Sequence, residues 1–97
     1  MTVLVCESLS FLSEGDEIAF FNWLNSLECI SQIKGVNNEI QLHLTDSEIS
    51  YDNLRDLIAI FTRYDVNMSQ LSQLQTDENR DWFYDNKLAF WHKDVFG

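Results

Sequence analysis

The chain has 97 residues, and its 16 acidic and 6 basic side chains give it a formal net charge of −10. A chain of this length holds one hydrophobic core, so we expect residues 1–97 to form a single domain. The negative charge argues against a nucleic-acid partner, because phosphate groups are bound mainly by lysine and arginine.

The N-terminal apolar run stops at Glu7, which is too early for the apolar core of a signal peptide. No segment approaches the run of about 18 apolar residues that spans a bilayer. We therefore expect a cytoplasmic protein without a membrane partner.

A strand and a helix are the first elements predicted along the chain. Residues 2–9 begin with β-forming side chains and predict the strand. Ser13 precedes Asp16 by three residues. This spacing is typical of a helix start, where the serine side chain caps free N–H groups. Apolar residues at helical spacing then predict a helix to about Leu27. The face expected to be buried comprises Phe20, Trp23, Leu24 and Leu27.

A hairpin and a second helix come next. Ile30 and Ile33 belong to a predicted short strand that ends at Gly35. Residues 35–38 predict a turn. Residues 39–45 alternate strictly between apolar and polar side chains, which predicts a second, half-buried strand. Ser50 is placed to begin a helix. Its expected apolar stripe comprises Leu54, Leu57, Ile58, Phe61 and Tyr64.

The rest of the chain is less regular. Residues 66–74 fit either a strand or a helical turn, because their apolar side chains are spaced by three. Residues 76–79 have the polar composition of a helix start, and residues 88–95 again have helical spacing.

The resulting order, β-α-β-β-α-(β)-α, predicts an α+β fold. It matches the split β-α-β arrangement of ferredoxin-like domains. We expect one two-layer domain, with an antiparallel sheet carrying two helices and a helical, aromatic C-terminal tail.

Residues with catalytic or metal-binding chemistry do not form a recognisable motif. Cys6 and Cys29 are expected to be buried, reduced thiols, although a disulfide is open if their elements are neighbours in an oxidising compartment. His43 falls on the polar side of a strand, and His92 lies beside a tryptophan near the C-terminus. We expect neither histidine to bind zinc or to act as a base.

Residues 77–88 begin like a calcium-binding loop. The sixth position is Trp82 where glycine is needed, and the twelfth is Leu88 where a bidentate glutamate is needed. We therefore expect a helix cap there, and for the whole chain no metal, no cofactor and no enzymatic activity.

Acidic residues cluster around the start of the second helix. These are Asp46, Glu48, Asp52 and Asp56. Carboxylates on one face can dock on a basic protein, because complementary charge steers association. We interpret the chain as a small acidic protein-binding domain. The sharper hypothesis is an immunity-type inhibitor that covers the basic active site of a toxin such as a nuclease. The competing interpretation is that the charge only keeps the protein soluble.

Six aromatic residues fall within the last sixteen positions of the chain. They either wrap across the open face of the sheet as part of the core or form an interface, where Trp and Tyr contribute strongly. The interface candidates are Trp82, Tyr84 and Trp91. A homo-oligomer built on this tail, such as a homodimer with a structural role, is therefore the alternative function.

Three segments carry a resemblance: DEIAFFNWL at 16–24, LRDLIAIFTRY at 54–64 and WHKDVFG at 91–97. With them the chain resembles small, uncharacterised, acidic bacterial proteins that begin with a strand and end in an aromatic tail. This resemblance implies no activity and no functional residue. In size, acidity and α/β content the chain is also similar to barstar-type immunity proteins.

Overall fold

The computed structural model describes residues 2–7, 9–45 and 49–97. Its strands are β1 (Val3–Glu7), β2 (Ile30–Val36) and β3 (Glu39–Leu44). Its α-helices are α1 (Glu14–Asn25), α2 (Tyr51–Arg63), α3 (Arg80–Phe83) and α4 (His92–Phe96). One 3₁₀ helix spans Met68–Leu74.

The three strands form one antiparallel sheet in the order β1-β3-β2. The hairpin strand β3 is thus inserted between β1 and β2, which is the split arrangement predicted from the order of elements. Asn37 closes the hairpin with a φ of 56°, a left-handed conformation that asparagine tolerates better than most residues. The predicted α+β class with an antiparallel sheet is confirmed.

Both long helices begin where the sequence predicts. The Ser13 hydroxyl accepts a hydrogen bond from the Asp16 N–H at 3.2 Å, and the Ser50 hydroxyl accepts one from the Asn53 N–H at 3.1 Å. Each bond satisfies an N–H group that the first turn of a helix leaves without an intrahelical partner. Helix α1 ends at Asn25, two residues before the predicted Leu27, which is nevertheless buried.

The core lies between the sheet and the two long helices. One sheet face points inward through Leu4, Leu42 and Leu44, each no more than 1% exposed. Against it pack Phe20 and Leu24 of α1 together with α2. The buried residues of α2 are Leu54, Leu57, Ile58, Ile60 and Phe61. They cover an arc of about 160° around the helix, wide enough to contact two layers.

Within residues 66–74, Met68–Leu74 form the 3₁₀ helix, which resolves the alternative left open by the sequence. A 3₁₀ helix has 3.0 residues per turn, so side chains spaced by three fall on one face. Leu71 and Leu74 on that face are buried. The fourth strand of a ferredoxin-like sheet is therefore replaced by a helix in this chain.

The C-terminal segment, residues 66–97, completes the core from the helical side. The Phe83 ring lies 5.4 Å from the Trp91 ring and 4.9 Å from the Phe96 ring, between centroids. Helix α4 packs on the 3₁₀ helix, and Trp82 packs edge-on against Tyr51 of α2 at 4.6 Å. The rings of the tail thus pack on one another and on Tyr51 of α2, and Phe83 and Trp91 are buried in the core.

Cys6 and Cys29 are buried and not bonded to each other. Cys6 lies on β1, and Cys29 directly precedes β2 on the far side of β3. Two strand spacings of about 4.8 Å already exceed the Cα separation of a disulfide, about 7 Å at most. The topology therefore rules out the bridge that the sequence had left open.

Candidate functional site

The acidic residues singled out in the sequence lie near the start of α2. Asp52 is exposed and Asp56 is half-buried, one helical turn apart. Asp46 and Glu48 lie outside the described residues. Arg55 stands on the same side of the helix and donates to the Tyr51 hydroxyl at 2.9 Å. The described part of this face therefore carries mixed charge.

A second group of carboxylates surrounds the end of α2, and we call it the acidic corner. Its members are Glu7, Asp16, Asp65 and Asp94. Three shallow clefts meet there, and Asp65 lines all three. Arg63 is the one basic residue that lines them. Four carboxylates against one guanidinium make this surface more negative than the described part of the α2 start.

The fold determines where the acidic corner lies. Helix α2 ends at Arg63, and Asp65 then adopts a φ of 55°, which turns the chain out of the helix. The Val66 N–H donates to the Phe61 carbonyl at 2.9 Å, so the turn is closed by a backbone bond typical of helix ends. The C-terminus of a helix carries partial negative charge, which adds to that of the carboxylates.

Asp16 has a structural role within the acidic corner. One of its carboxylate oxygens accepts from the Leu12 N–H at 3.0 Å, and the other accepts from the Tyr64 hydroxyl at 3.1 Å. Desolvation and the bond to Asp16 both raise the pKa of Tyr64. Asp16 thereby ties α1 to the end of α2, while Glu7, Asp65 and Asp94 are exposed.

Few of the negative charges are neutralised inside the molecule. Within residues 2–7, 9–45 and 49–97, Arg80 and Asp85 form the only ion pair, with 3.6 Å between Nε and Oδ2. An excess of unpaired carboxylates produces a negative potential that extends into solvent. That potential is available to an approaching basic partner.

The sequence alone did not indicate the acidic corner. Glu7, Asp65 and Asp94 belong to β1, the turn after α2 and α4, and only the tertiary fold brings them together. The available signal was local: an aspartate directly after the predicted second helix can adopt the left-handed conformation that ends a helix.

The aromatic candidates differ in accessibility. Trp91 is 6% exposed and belongs to the core, so it contributes packing more than accessible interface. Trp82 is half-buried, and Tyr84 is 38% exposed. Neighbouring residues that were not singled out are more accessible, since Leu88 is 99% and Phe90 75% exposed.

The two histidines are held in local hydrogen bonds, and the two cysteines are buried. Along β3, Gln41 donates to Glu39 at 3.2 Å, and its Oε1 lies 3.3 Å from Nε2 of His43. Nε2 of His92 lies 2.7 Å from the Tyr84 carbonyl. Burial raises the pKa of the Cys6 thiol to about 12. A thiol with so high a pKa is a poor nucleophile at neutral pH.

In the part of the chain that is described, no group of three or more His, Cys, Asp or Glu side chains is arranged to hold a metal ion. The same residues contain no helix with the length and apolarity needed to cross a membrane. Comparison of the chain with protein families, curated proteins and solved structures finds no match.

Proposed function

We propose that this chain is a cytoplasmic protein-binding domain that acts by covering a basic surface of another protein. Its sharpest form is an immunity-type inhibitor that occupies the cationic active site of a toxin such as a nuclease. A nuclease must present basic groups to hold phosphates, and a surface of carboxylates offers those groups an alternative partner.

The acidic corner is the observation that carries the proposal. Its exposed carboxylates Glu7, Asp65 and Asp94 line clefts that a protruding basic side chain can enter. The predicted α2 face, with Asp52 and Asp56, can extend the same interaction, but Arg55 offsets part of its charge. We therefore place the centre of the interface at the acidic corner and Asp52 and Asp56 at its periphery.

The first experiment identifies the partner and its salt dependence. The tagged chain is used to capture proteins from its native host at low salt, followed by native mass spectrometry and purification of the captured protein. We expect a stoichiometric basic protein that salt releases and whose activity falls on rebinding. A chain that is recovered only as a homodimer, or as a monomer with nothing bound, contradicts the proposal.

The second experiment locates the interface with three double variants of equal charge change. Glu7→Lys with Asp94→Lys reverses the acidic corner, and Asp52→Lys with Asp56→Lys reverses the α2 face. Glu28→Lys with Glu78→Lys is the control, because both residues are exposed and line none of the clefts.

All three variants change the net charge equally, so any difference between them reports position. We expect association with the partner to slow by about tenfold or more at low salt for the acidic corner, less for the α2 face and least for the control. Thermal stability should barely change, since exposed charges contribute little to it. Equal slowing in all three would mean that only net charge matters.

The alternative function is a homo-oligomer assembled through the tail. The exposure of Leu88 and Phe90 favours it, because exposed apolar side chains that form a patch are typical of contact surfaces. The variant Leu88→Ser with Phe90→Ser tests it without disturbing the core residue Trp91. A dimer that dissociates in this variant supports the alternative, and a wild-type chain that sediments as a monomer rules it out.

A further inference from the structure

The outer edge of the sheet at β1 is closed at one point by a side chain. The Val5 N–H donates to Oε1 of Gln70 at 2.7 Å, and Nε2 of Gln70 donates to the Val5 carbonyl at 2.8 Å. A residue of a neighbouring strand would make the same two bonds. Gln70 on the 3₁₀ helix therefore holds the position of one residue of a fourth strand.

The opposite edge, at β2, is treated differently. The Leu44 N–H donates to the Thr2 carbonyl, so the backbone groups of Leu44 point toward β1. Because backbone groups of successive residues alternate in direction along a strand, those of Gln41 and His43 point toward β2. The backbone groups of Ile33 and Gly35 then point outward. No side chain within the described ranges bonds to them, and exposed Lys34 stands between them on the strand.

Charge distinguishes the two edges. A cleft beside β1 is lined by Val5, Glu7, Asp65, Asn67 and Gln70, so two carboxylates flank the outward backbone groups of Val5. Edge β2 carries Lys34 and no acidic residue. A basic peptide is therefore attracted more strongly to the edge at β1 than to the edge at β2.

The cap on β1 can be exchanged for an incoming strand. Gln70 is a single side chain with rotatable bonds, and its two bonds to Val5 can be replaced one for one by that strand. Its amide nitrogen also donates to the Asn67 carbonyl at 3.0 Å, and this bond has to rearrange when the amide moves away from Val5.

We propose that the edge of β1 binds an extended segment of the partner that bears lysine or arginine. The segment pairs with Val5 in place of the Gln70 amide and sets a basic side chain between Glu7 and Asp65. This is strand addition to a sheet edge, in which backbone bonds provide affinity and side-chain pockets provide specificity. The inference rests on the proposed function and states how the basic partner is held.

The test uses short synthetic peptides as probes of the full-length chain. The parent peptide alternates lysine and valine. Two further peptides carry N-methyl groups on alternate residues, one along each edge of the extended peptide, and keep the same charge. Binding is followed by backbone amide shifts of the isotopically labelled protein.

We expect the parent peptide to perturb the amides of Val5 and Glu7 and to leave those of Ile33 and Gly35 unchanged. One methylated peptide should bind like the parent, and the other at least about tenfold more weakly, because it cannot form the strand bonds. Equal binding of both methylated peptides, perturbation centred on β2, or no binding of the parent would overturn the proposal.

Variants of the cleft provide a second measurement. Gln70→Ala removes the competing cap and should tighten parent-peptide binding by about threefold or more, because more of the protein is then competent to bind. Glu7→Gln with Asp65→Asn should weaken it by about three- to tenfold at low salt. Asparagine tolerates the left-handed backbone at position 65, so this change removes charge and keeps the turn.

The control for the charge variant is Glu28→Gln with Glu78→Gln, which removes the same charge away from the cleft. Weakening by the control as large as that by Glu7→Gln with Asp65→Asn contradicts the proposed position of the basic side chain. If a captured basic partner binds while both methylated peptides behave alike, the edge inference fails and the proposed function stands. If neither the partner nor the parent peptide binds, both fail.

Discussion

The α-helices of residues 14–63 and those of residues 66–97 form by different means. Helices α1 and α2 are 12 and 13 residues long, and each starts with a serine whose hydroxyl caps the first turn. Helices α3 and α4 have four and five residues, and neither has a side-chain cap. Helices that short are unstable alone in water, so tertiary packing must hold them in place.

That packing connects the two regions into one core. Phe83, Trp91 and Val95 of the C-terminal segment belong to the same buried cluster as the sheet and the long helices. Local sequence signals therefore specify the first region, and the second takes its structure from the surface that the first presents.

The largest expected effect comes from removing a ring at the centre of the C-terminal segment. Phe83 is fully buried and contacts Trp82, Trp91 and Phe96. Phe83→Ala should lower the free energy of unfolding by about 3–5 kcal/mol, because it leaves a cavity that the neighbours fill only in part. Urea unfolding measures the change, and Phe90→Ala, at a residue that is 75% exposed, is the matched control.

A Trp23→Phe variant tests whether the two regions unfold together. With Trp23 of α1 replaced by phenylalanine, the tryptophan fluorescence comes from Trp82 and Trp91, while circular dichroism is dominated by the long helices. A shared core predicts coincident transitions in urea. A fluorescence transition that precedes the loss of helix would show that the C-terminal segment is a separate unit.

The regularity of the first region explains why so much of it could be predicted. Ser13 and Ser50 combine a capping side chain with apolar residues at helical spacing, and residues 39–45 alternate as a half-buried strand must. In the second region, the spacing by three at Met68, Leu71 and Leu74 fits more than one structure. Two sets of contacts favour the 3₁₀ helix. It packs on α2, and its Gln70 bonds to Val5 at the edge of β1.

The candidate site was less predictable than the fold. Asp52 and Asp56 lie on adjacent turns of one helix, so their proximity follows from the sequence. Glu7, Asp65 and Asp94 meet only because β1, the end of α2 and α4 converge, which depends on the order of strands and the course of the tail. The role of Gln70 was also invisible, because a glutamine that replaces a strand residue has no sequence signature.

A smaller effect is expected from raising the pH, and it should act through the two buried cysteines at the sheet. Burial raises the pKa of Cys6 to about 12 and that of Cys29 to about 11, from an ordinary value of 9.0. The folded state keeps these protons longer than the unfolded state. Their contribution to stability is therefore complete below about pH 9 and is lost as the pH rises toward the folded values.

By about pH 10 the two thiols together should lower the free energy of unfolding by about 2–3 kcal/mol relative to neutral pH. Urea midpoints measured at neutral pH and at about pH 10 check this, with Cys6→Ala as the comparison. The alanine variant should lose less stability between the two pH values than the wild type. An identical loss in both would show that other groups govern the alkaline transition.

The smallest of these effects concerns the hydrogen bonds that join the 3₁₀ helix to α3. The Asn79 side chain is buried, donates to the Leu74 carbonyl at 2.9 Å and accepts from the Thr76 N–H at 2.8 Å. Asn79→Ala leaves both backbone groups without these partners and should cost about 1–2 kcal/mol. Asn79→Asp separates the two bonds, since aspartate can still accept from Thr76 but cannot donate to Leu74. An intermediate urea midpoint for Asn79→Asp would show that the bond to Thr76 carries part of this stabilisation. A midpoint equal to wild type in both variants would show that the Asn79 bonds do not stabilise the connection.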